Sequence, residues 1–378
     1  MADKKPSKRQ LVSEQDSTLY SILKERALKV EESERVNKNR SFSLLAARDE
    51  LFFNQLSTFT TSLFQKNPIK PTGYTKKKSN KAVKREVNLL ISDLHIRANL
   101  DGRELPLQYG WQEEARRLAK VILETAEYKT QYRDVTHLNV NIMGDVIQGI
   151  LDHDPRDGAP LAEQCGAAMH LLTQAVAYLA ARFPQVHVRC VPGNHGRNVA
   201  RHKARAMHQK WDAFETTIYC GVKNGVAHLP NVTFDIPYTP YYIYNSLSHP
   251  IFITHGDTII DVGNPGTMIN AKGIDQKVNQ INATRAKGQM VEAVAVGHVH
   301  VASRLRLPSG VVVFTNGALV PPDGFMVNGV GRLESVCSQT LWETTEQYVA
   351  GDYRELTVDV TTDADATLDK VITPFHAF

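Results

Sequence analysis

Cysteine is scarce in this chain, four residues in 378, and the four stand far apart at Cys165, Cys190, Cys220 and Cys337. No two form a CxxC pair, which excludes a closed zinc site built on paired thiolates, and the wide spacing argues against a disulfide scaffold. They are expected to be buried or free thiols of a reducing compartment, and the protein is read as cytoplasmic. Also missing is any apolar run of the 18 or so residues that a membrane-spanning helix needs. Residues 1–10 are lysine-rich, but no apolar segment follows them as it would in a secretory signal. No internal repeat or low-complexity tract is present, which sets aside solenoids and biased arrays. What is left, 42% hydrophobic and 22% charged, is the composition of an ordinary globular chain, long enough for about two domains.

Charge is unevenly placed. Residues 1–87 hold 19 Lys and Arg against 10 Asp and Glu, and the remainder holds 25 against 30, so the net charge of +4 conceals a basic head of +9 and an acidic body of −5. Leu19, Leu23, Ala27 and Val30 recur at helical spacing and residues 44–64 are rich in Leu, Phe and Ala, which predicts helices. Pro68 and Pro71 end them, and the run KKKSNK at 76–81 reads as a solvated linker. Two readings stay open for the head. It is a packing extension that docks a protein partner or a second copy of the chain, or an arm that holds phosphate backbones whatever their sequence. No helix-turn-helix or zinc-finger pattern accompanies it. The chain is accordingly divided into a basic, mainly helical extension and linker, 1–86, and a second domain, 87–378.

From residue 87 short runs dense in Val, Ile and Leu recur, at 87–92, 138–143, 186–191, 251–254 and 291–296. Each stops at a polar motif: Asp93-Leu94-His95, Gly144-Asp145, Gly193-Asn194-His195, His255-Gly256 and Gly297-His298-Val299-His300. Buried parallel strands read as nearly continuous apolar runs, and a polar residue closing each run is delivered to one edge of the sheet. Trp111, Ala115, Leu118, Ala119, Ile122, Leu123 and Ala126 mark one face of a helix, and 161–182 reads as another. Alternating strands and helices predict an α/β fold. Members of Asp93-x-His95 and of His298-x-His300 stand two apart, and on a regular strand both would face one side. Two carboxylates, an amide and several imidazoles without thiolate suit Mn, Fe, Zn or similar divalent ions. A lone His at a strand end is usually structural, and a lone Asp usually caps a helix. Seven such residues at five strand ends, buried with no cation, would leave costly unpaired polar groups.

The ordered set Asp-x-His, Gly-Asp, Gly-Asn-His, His-Gly and Gly-His-x-His, spanning 93 to 300, resembles the five motifs of the calcineurin-like metallophosphoesterases. Within that superfamily it is most similar to the SbcD-type DNA repair nucleases, with a further similarity to phosphoesterases encoded by bacteriophages. The resemblance implies a fold of two packed mixed β-sheets flanked by helices and a site for two divalent metal ions, Mn first, with Fe, Zn, Ni or Mg as alternatives. It implies Asp93, His95 and His300 at the first metal, Asn194, His255 and His298 at the second, and Asp145 bridging both. It also implies a metal-activated water as nucleophile and His195 as general acid. Paired cations lower the pKa of a shared water and stabilise both oxygens of an in-line displacement, and an imidazole near its own pKa can protonate the departing alkoxide. Two positions depart from the pattern. Gln148 stands where an acid often follows the bridging Asp by three, and Gly196 stands where Asp or Glu often follows Gly-Asn-His. The second change removes a carboxylate that would orient His195, a role for which Asp257 and Asp152 are the substitutes.

Around these motifs, Arg197 opens a basic stretch with Arg201, Lys203 and Arg205. It is placed to hold phosphate oxygens and is taken as the substrate-binding residue, although Ala200, Ala204, Met207 and Trp211 also make the stretch readable as a helix with a wet face. Asp152, His153 and Asp154 are expected in a solvated loop. Phe234, Tyr238, Tyr241, Tyr242 and Tyr244 read as a strand with half-buried tyrosines rather than a base-stacking platform. No role is assigned to His249. The second sheet is expected to finish with 311–314 and 356–360. The resulting expectation is a phosphodiester hydrolase, first a DNA exonuclease or endonuclease, with DNA as partner and no membrane. The alternative is a phosphatase or phosphodiesterase for phosphoproteins, nucleotides or other small phosphate esters. GDVIQG at 144–149 lacks the Asp-Arg-Gly continuation of the serine/threonine phosphatases. A scaffold protein on the same fold would be expected to have shed ligand positions, and all of them are present here.

Overall fold

The computed structural model describes residues 84–378 apart from 104, 106, 132–133, 152–157, 199–208, 264–268, 334, 359–367 and 376–378, together with Lys29, Glu32, Leu51, Leu56, Thr58 and Ser62. The chain divides into two compact units, Met1–Phe59 and Thr60–Phe378. The six early residues are helical. The remainder of the expected N-terminal helices and the linker at 76–81 lie outside the described residues. Among the described residues no helix is long and apolar enough to cross a membrane.

Within the second unit the strands are β1 (Arg85–Ile91), β2 (Val135–Ile142), β3 (Val186–Cys190), β4 (Val232–Asp235), β5 (Tyr241–Ser246), β6 (His249–Thr254), β7 (Ala293–Val296), β8 (Ser303–Arg306), β9 (Val312–Thr315), β10 (Ser338–Thr345) and β11 (Tyr353–Thr357). The helices are α1 (Trp111–Gln131), α2 (Leu161–Ala180), α3 (Phe214–Gly225) and α4 (Ala271–Ala283). α1 carries Glu113 and Glu114 in its first turn and Lys129 in its last, a charge order that matches the helix dipole. α4 starts where the Asn270 side chain accepts the Gly273 N–H at 3.0 Å.

Two mixed sheets result. The first has the order β11-β10-β1-β2-β3-β4, with β1 to β4 parallel and β10 and β11 antiparallel to their neighbours. The second has the order β5-β6-β7-β9-β8, a parallel core of β6, β7 and β9 between antiparallel edges. Alternation along the strands decides the layers. Ile251, Ile253, Ala293, Ala295, Val312 and Phe314 face the first sheet and pack on Leu90 and Trp342, with the Phe314 and Trp342 rings stacked at 4.1 Å. The intervening Phe252, Val294, Val296 and Val313 face outward onto Ile274 and Val278 of α4. Helices α1 and α2 lie against each other and against the first sheet, α1 touching β10 and β11 and α2 touching β3, with α3 against α2. This is the α/β architecture of two packed mixed sheets flanked by helices that the resemblance implies.

Two expectations are corrected. Residues 353–357 belong to the edge of the first sheet, paired with β10, and not to the second, which gains only 312–315 from the expected pair. The aromatic stretch 232–244 is two strands in two sheets, β4 beside β3 and β5 beside β6. Pro237 and Pro240 stand between them, where a continuous strand would need backbone donors that proline lacks.

The apolar strands also conceal a polar layer. Asn88, Asn139 and Asn141 are buried between the sheets. Asn139 Nδ2 donates to Glu86 Oε2 (3.0 Å) and Asn88 Oδ1 (3.1 Å), and Tyr244 Oη donates to Asn88 Oδ1 (2.9 Å). Arg189 Nη1 donates to Asn139 Oδ1 at 2.8 Å and its guanidinium lies 3.9 Å from the Tyr244 ring centre. The network ties one sheet to the other through Tyr244, although Asn141 Oδ1 and Arg189 Nε stay buried without a hydrogen-bond partner.

Candidate metal centre

Strands β1, β2 and β3 lie side by side in one sheet, β6 and β7 in the other, and the carboxyl ends of all five open onto one place. The pairing of β1 and β2 continues past their ends, with Asp93 N donating to Gly144 O (3.1 Å) and His95 N to Asp145 O (3.1 Å). Neither Asp93-x-His95 nor His298-x-His300 lies on a regular strand, contrary to expectation, because β1 ends at Ile91 and β7 at Val296. Instead Asp93 (φ 54°), His95 (45°), Asp145 (50°), His298 (69°) and His300 (57°) all adopt the left-handed backbone that non-glycine residues rarely take. Each such residue costs on the order of 1 kcal/mol or more and persists where the surroundings enforce it, most often at functional sites.

The side chains so presented converge. Ligand-capable atoms of Asp93, His95 and His300 lie within 4.8 Å of one another, as do those of His95, Asp145 and His195 and those of Asp145, His255 and His298. Asn194 Oδ1 lies 3.0 Å from His255 Nε2. All seven expected ligand positions and His195 are therefore gathered, with Asp145 shared between two of the three groups.

Hydrogen bonds to the far side of each ring fix which nitrogen faces inward. His255 Nδ1 meets the Met143 carbonyl at 2.7 Å, so its Nε2 lone pair faces Asp145 Oδ2 (3.0 Å) and Asn194 Oδ1 (3.0 Å). Three acceptors this close need either a proton or a cation between them. His95 Nδ1 meets Gln148 Oε1 at 2.8 Å, leaving Nε2 buried with no partner, and His298 Nδ1 is likewise buried with none. Burial, reinforced by the neighbouring His195 and His300, pushes His95 down to about 3. Burial and then His255 bring His298 to about 4, so both rings are neutral at pH 7, the form that binds a metal. At His255 burial acts in the opposite sense, but the Asp145 carboxylate overrides it and raises the ring to about 10. A cation at this point would take the place of that proton. The donor set, mixed N and O without sulfur, fits divalent metal ions.

Asp145 Oδ1 accepts the backbone N–H groups of Asn194 and His195, each at 2.8 Å, which leaves Oδ2 for the centre. Asp93 accepts from the Ser92 hydroxyl and from His298 N (3.1 Å), and His300 Nε2 lies 3.3 Å from its Oδ1. His195 packs edge-on to His95 at 4.5 Å, and its Nδ1 meets the Gln148 carbonyl at 2.8 Å. That main-chain oxygen orients the ring. Asp257 does not do so, being paired with Lys210, and Asp152 lies outside the described residues with His153 and Asp154. Arg197 turns its Nε to the Asn194 carbonyl (2.7 Å), while Arg201, Lys203 and Arg205 fall outside the described residues. His249 bridges Glu292 (2.7 Å) and the Thr345 carbonyl (3.1 Å), far from the strand ends that form the centre.

Sequence reasoning missed the supports. Glu215, fully buried in the first turn of α3, accepts from Val146 N and from Gly193 N at 2.7 Å each, and so ties the Gly-Asp loop to the Gly-Asn-His loop. Burial, and then the charge of Asp145, push it up to about 7. A Cβ on Gly196 would fall 2.3 Å from Glu215 Cγ. The space left by the missing side chain at that position is thus filled by a carboxylate from a distant helix. Gly193 is required by close approach, since a Cβ there would come 2.1 Å from Asp145 Oδ1. Under Asp93, Asn316 Nδ2 donates to Ser92 Oγ (2.9 Å) and Gln339 Oε1 accepts from Ser92 N (3.0 Å).

No family model and no curated protein matches the chain. Solved structures that align with it include a hypothetical protein from Pyrococcus horikoshii, at 12% identity over 75% of this chain and 91% of the other, with a TM-score of 0.37. A dimetal phosphatase from Danio rerio aligns at 12% identity over 72% and 98%, with a TM-score of 0.35. A putative 5'-nucleotidase from Staphylococcus aureus aligns at 11% identity over 76% and 57%, with a TM-score of 0.31.

Proposed function

We propose that the chain is a metal-dependent phosphoesterase that hydrolyses phosphodiester bonds, with DNA as its substrate. The observation that carries this reading is the convergence of Asp93, His95, Asp145, His255, His298 and His300 at the strand ends, where His95 Nε2 and His298 Nδ1 are buried without a hydrogen-bond partner. Asp93, His95 and His300 would hold one ion, Asn194, His255 and His298 the other, and Asp145 would serve both. When bound, the ions supply an activated water and offset charge on the phosphate. His195, anchored through Nδ1 on the Gln148 carbonyl, gives the proton on Nε2 to the leaving oxygen. Arg197, beside Asn194, contacts a phosphate oxygen. The basic head at 1–86 supports the choice of DNA. A second reading, hydrolysis of small phosphate esters, is favoured by the acidic balance of the rest of the chain, 25 Lys and Arg against 30 Asp and Glu, which repels a polyanion.

A Mn-dependent hydrolysis panel decides between them, with labelled single- and double-stranded DNA beside a phosphomonoester and a simple phosphodiester, and Asp145→Ala as control. DNA cleavage by the parent chain alone supports the nuclease. Hydrolysis of the small esters with DNA untouched removes it and keeps the metal centre. Replacing Lys76, Lys77 and Lys78 by Gln should lower the salt slope of DNA binding by about 0.9 for each phosphate that is no longer neutralised. An unchanged slope would dismiss the arm.

A further inference from the structure

A cavity of about 770 Å³ opens between the start of α1 and the segment leading into β10, walled by Tyr109, Trp111, Gln112, Glu113, Arg117 and Cys337 among others. It shares no lining residue with the metal centre. Arg117 is the unusual member of its wall. Only 4% exposed, it donates through Nη1 to the Leu319 carbonyl and lies 3.1 Å from Cys337 Sγ, and its Nε has no hydrogen-bond partner. Its guanidinium sits 5.1 Å from the Tyr109 ring centre. Among the described residues it forms no ion pair. Glu113, one turn back on the same face of α1, is paired with Arg116 at 3.5 Å, and Glu114 with Arg97 at 3.3 Å. A buried charge left without a counter-charge is strongly unfavourable, so an anion that reached this guanidinium from the cavity would stabilise it.

We propose that this cavity binds a small organic monoanion, a carboxylate on a flat apolar body, with the carboxylate seated on Arg117. The planar guanidinium fork matches a carboxylate in shape. The volume is within the range of small-molecule sites, and the rest of the wall is the usual mixture of apolar and aromatic surface with a few amides. One guanidinium offsets one negative charge, and Glu113 on the same wall opposes a second, so the site disfavours phosphate monoesters. The loop that holds the metal centre lies directly behind: Tyr109 Oη donates to Leu94 O at 3.1 Å, and Leu319, whose carbonyl Arg117 engages, donates its N–H to Asp93 O at 3.1 Å.

Benzoate is the probe, measured by equilibrium dialysis against the full chain, with benzyl alcohol as its neutral counterpart. One benzoate per chain should bind saturably, about tenfold or more tighter than the alcohol, as a charged hydrogen bond requires. Arg117→Met should erase that preference, and Asp145→Ala, which disables the metal centre, should leave it intact. Gly110 lines the cavity and a side chain built there meets nothing within 4 Å, so Gly110→Leu should exclude benzoate while Arg117 and its contacts stand, whether or not Arg117→Met folds. Equal binding of acid and alcohol, no saturable binding, a preference that survives Arg117→Met or Gly110→Leu, or one abolished in Asp145→Ala would each overturn the proposal.

Discussion

His195 touches the centre from one side, with its Nδ1 on a main-chain carbonyl and its backbone N–H on Asp145 Oδ1. Removing the ring leaves the backbone N–H on Asp145 in place. His195→Ala should therefore keep two metal ions per chain by elemental analysis while kcat falls about 10²- to 10⁴-fold, most for esters with poor leaving groups. Loss of an ion would instead make the ring a ligand, a role its closeness to His95 and Asp145 permits. Glu215 is a different case, because both of its oxygens accept backbone N–H groups. Glu215→Gln keeps the volume but turns a donor toward one of those N–H groups, and metal affinity should drop about 10- to 100-fold in a chelator competition. Unchanged affinity would mean that the two loops hold their shape unaided. The residues that gather at the strand ends were legible in the sequence because each closes an apolar run with a polar motif. Glu215 was not legible, since its partners are main-chain groups 69 and 22 residues away, and nothing local sets it apart from any acid in a first helical turn.

At the level of elements, the period-2 and period-3.6 patterns located strands and helices well, but edges and breaks depended on what the pattern ignores. β11 reads like any short strand, and its place beside β10 follows from a return that no local signal encodes. The asparagines of β1 and β2 look like interruptions of apolar runs until Tyr244, across the gap between the sheets, and Arg189, on the neighbouring strand β3, are seen as their partners. Helix α1 offers a test in solution. Burial lowers Lys129, near its end, from 10.5 to about 8, whereas the unfolded chain keeps that proton to its ordinary pKa. Above pH 8 the unfolded state therefore binds more protons at this site, and stability should rise with pH there. The buried Cys165, Cys190 and Cys337, which burial holds protonated in the folded chain, act in the opposite sense in the same window, so the test is the difference between proteins: between pH 8 and 9.5 the denaturant midpoint of Lys129→Met should rise less, or fall more, than that of the parent. An identical slope in both proteins would place the effect elsewhere.

For the molecule as a whole, metal and fold are linked. A cation that binds only the folded state adds about 2.7 kcal/mol at a hundredfold excess over its Kd, so Tm should climb with Mn concentration and fall back on chelation. Asp145→Ala should be indifferent to both treatments, and a metal-insensitive parent would contradict the reading of the centre. One further trait concerns how copies of this chain behave together. The outermost strands, β4, β5, β8 and β11, run only four to six residues, and β8 turns Arg304 and Arg306 outward at one margin while Pro237 and Pro240 bound β4 and β5 at others. Short, charged or proline-flanked margins give a foreign strand little to zip onto. At high concentration this unit should therefore resist fibril growth through its sheets, and any assembly of copies falls to surfaces other than the margins.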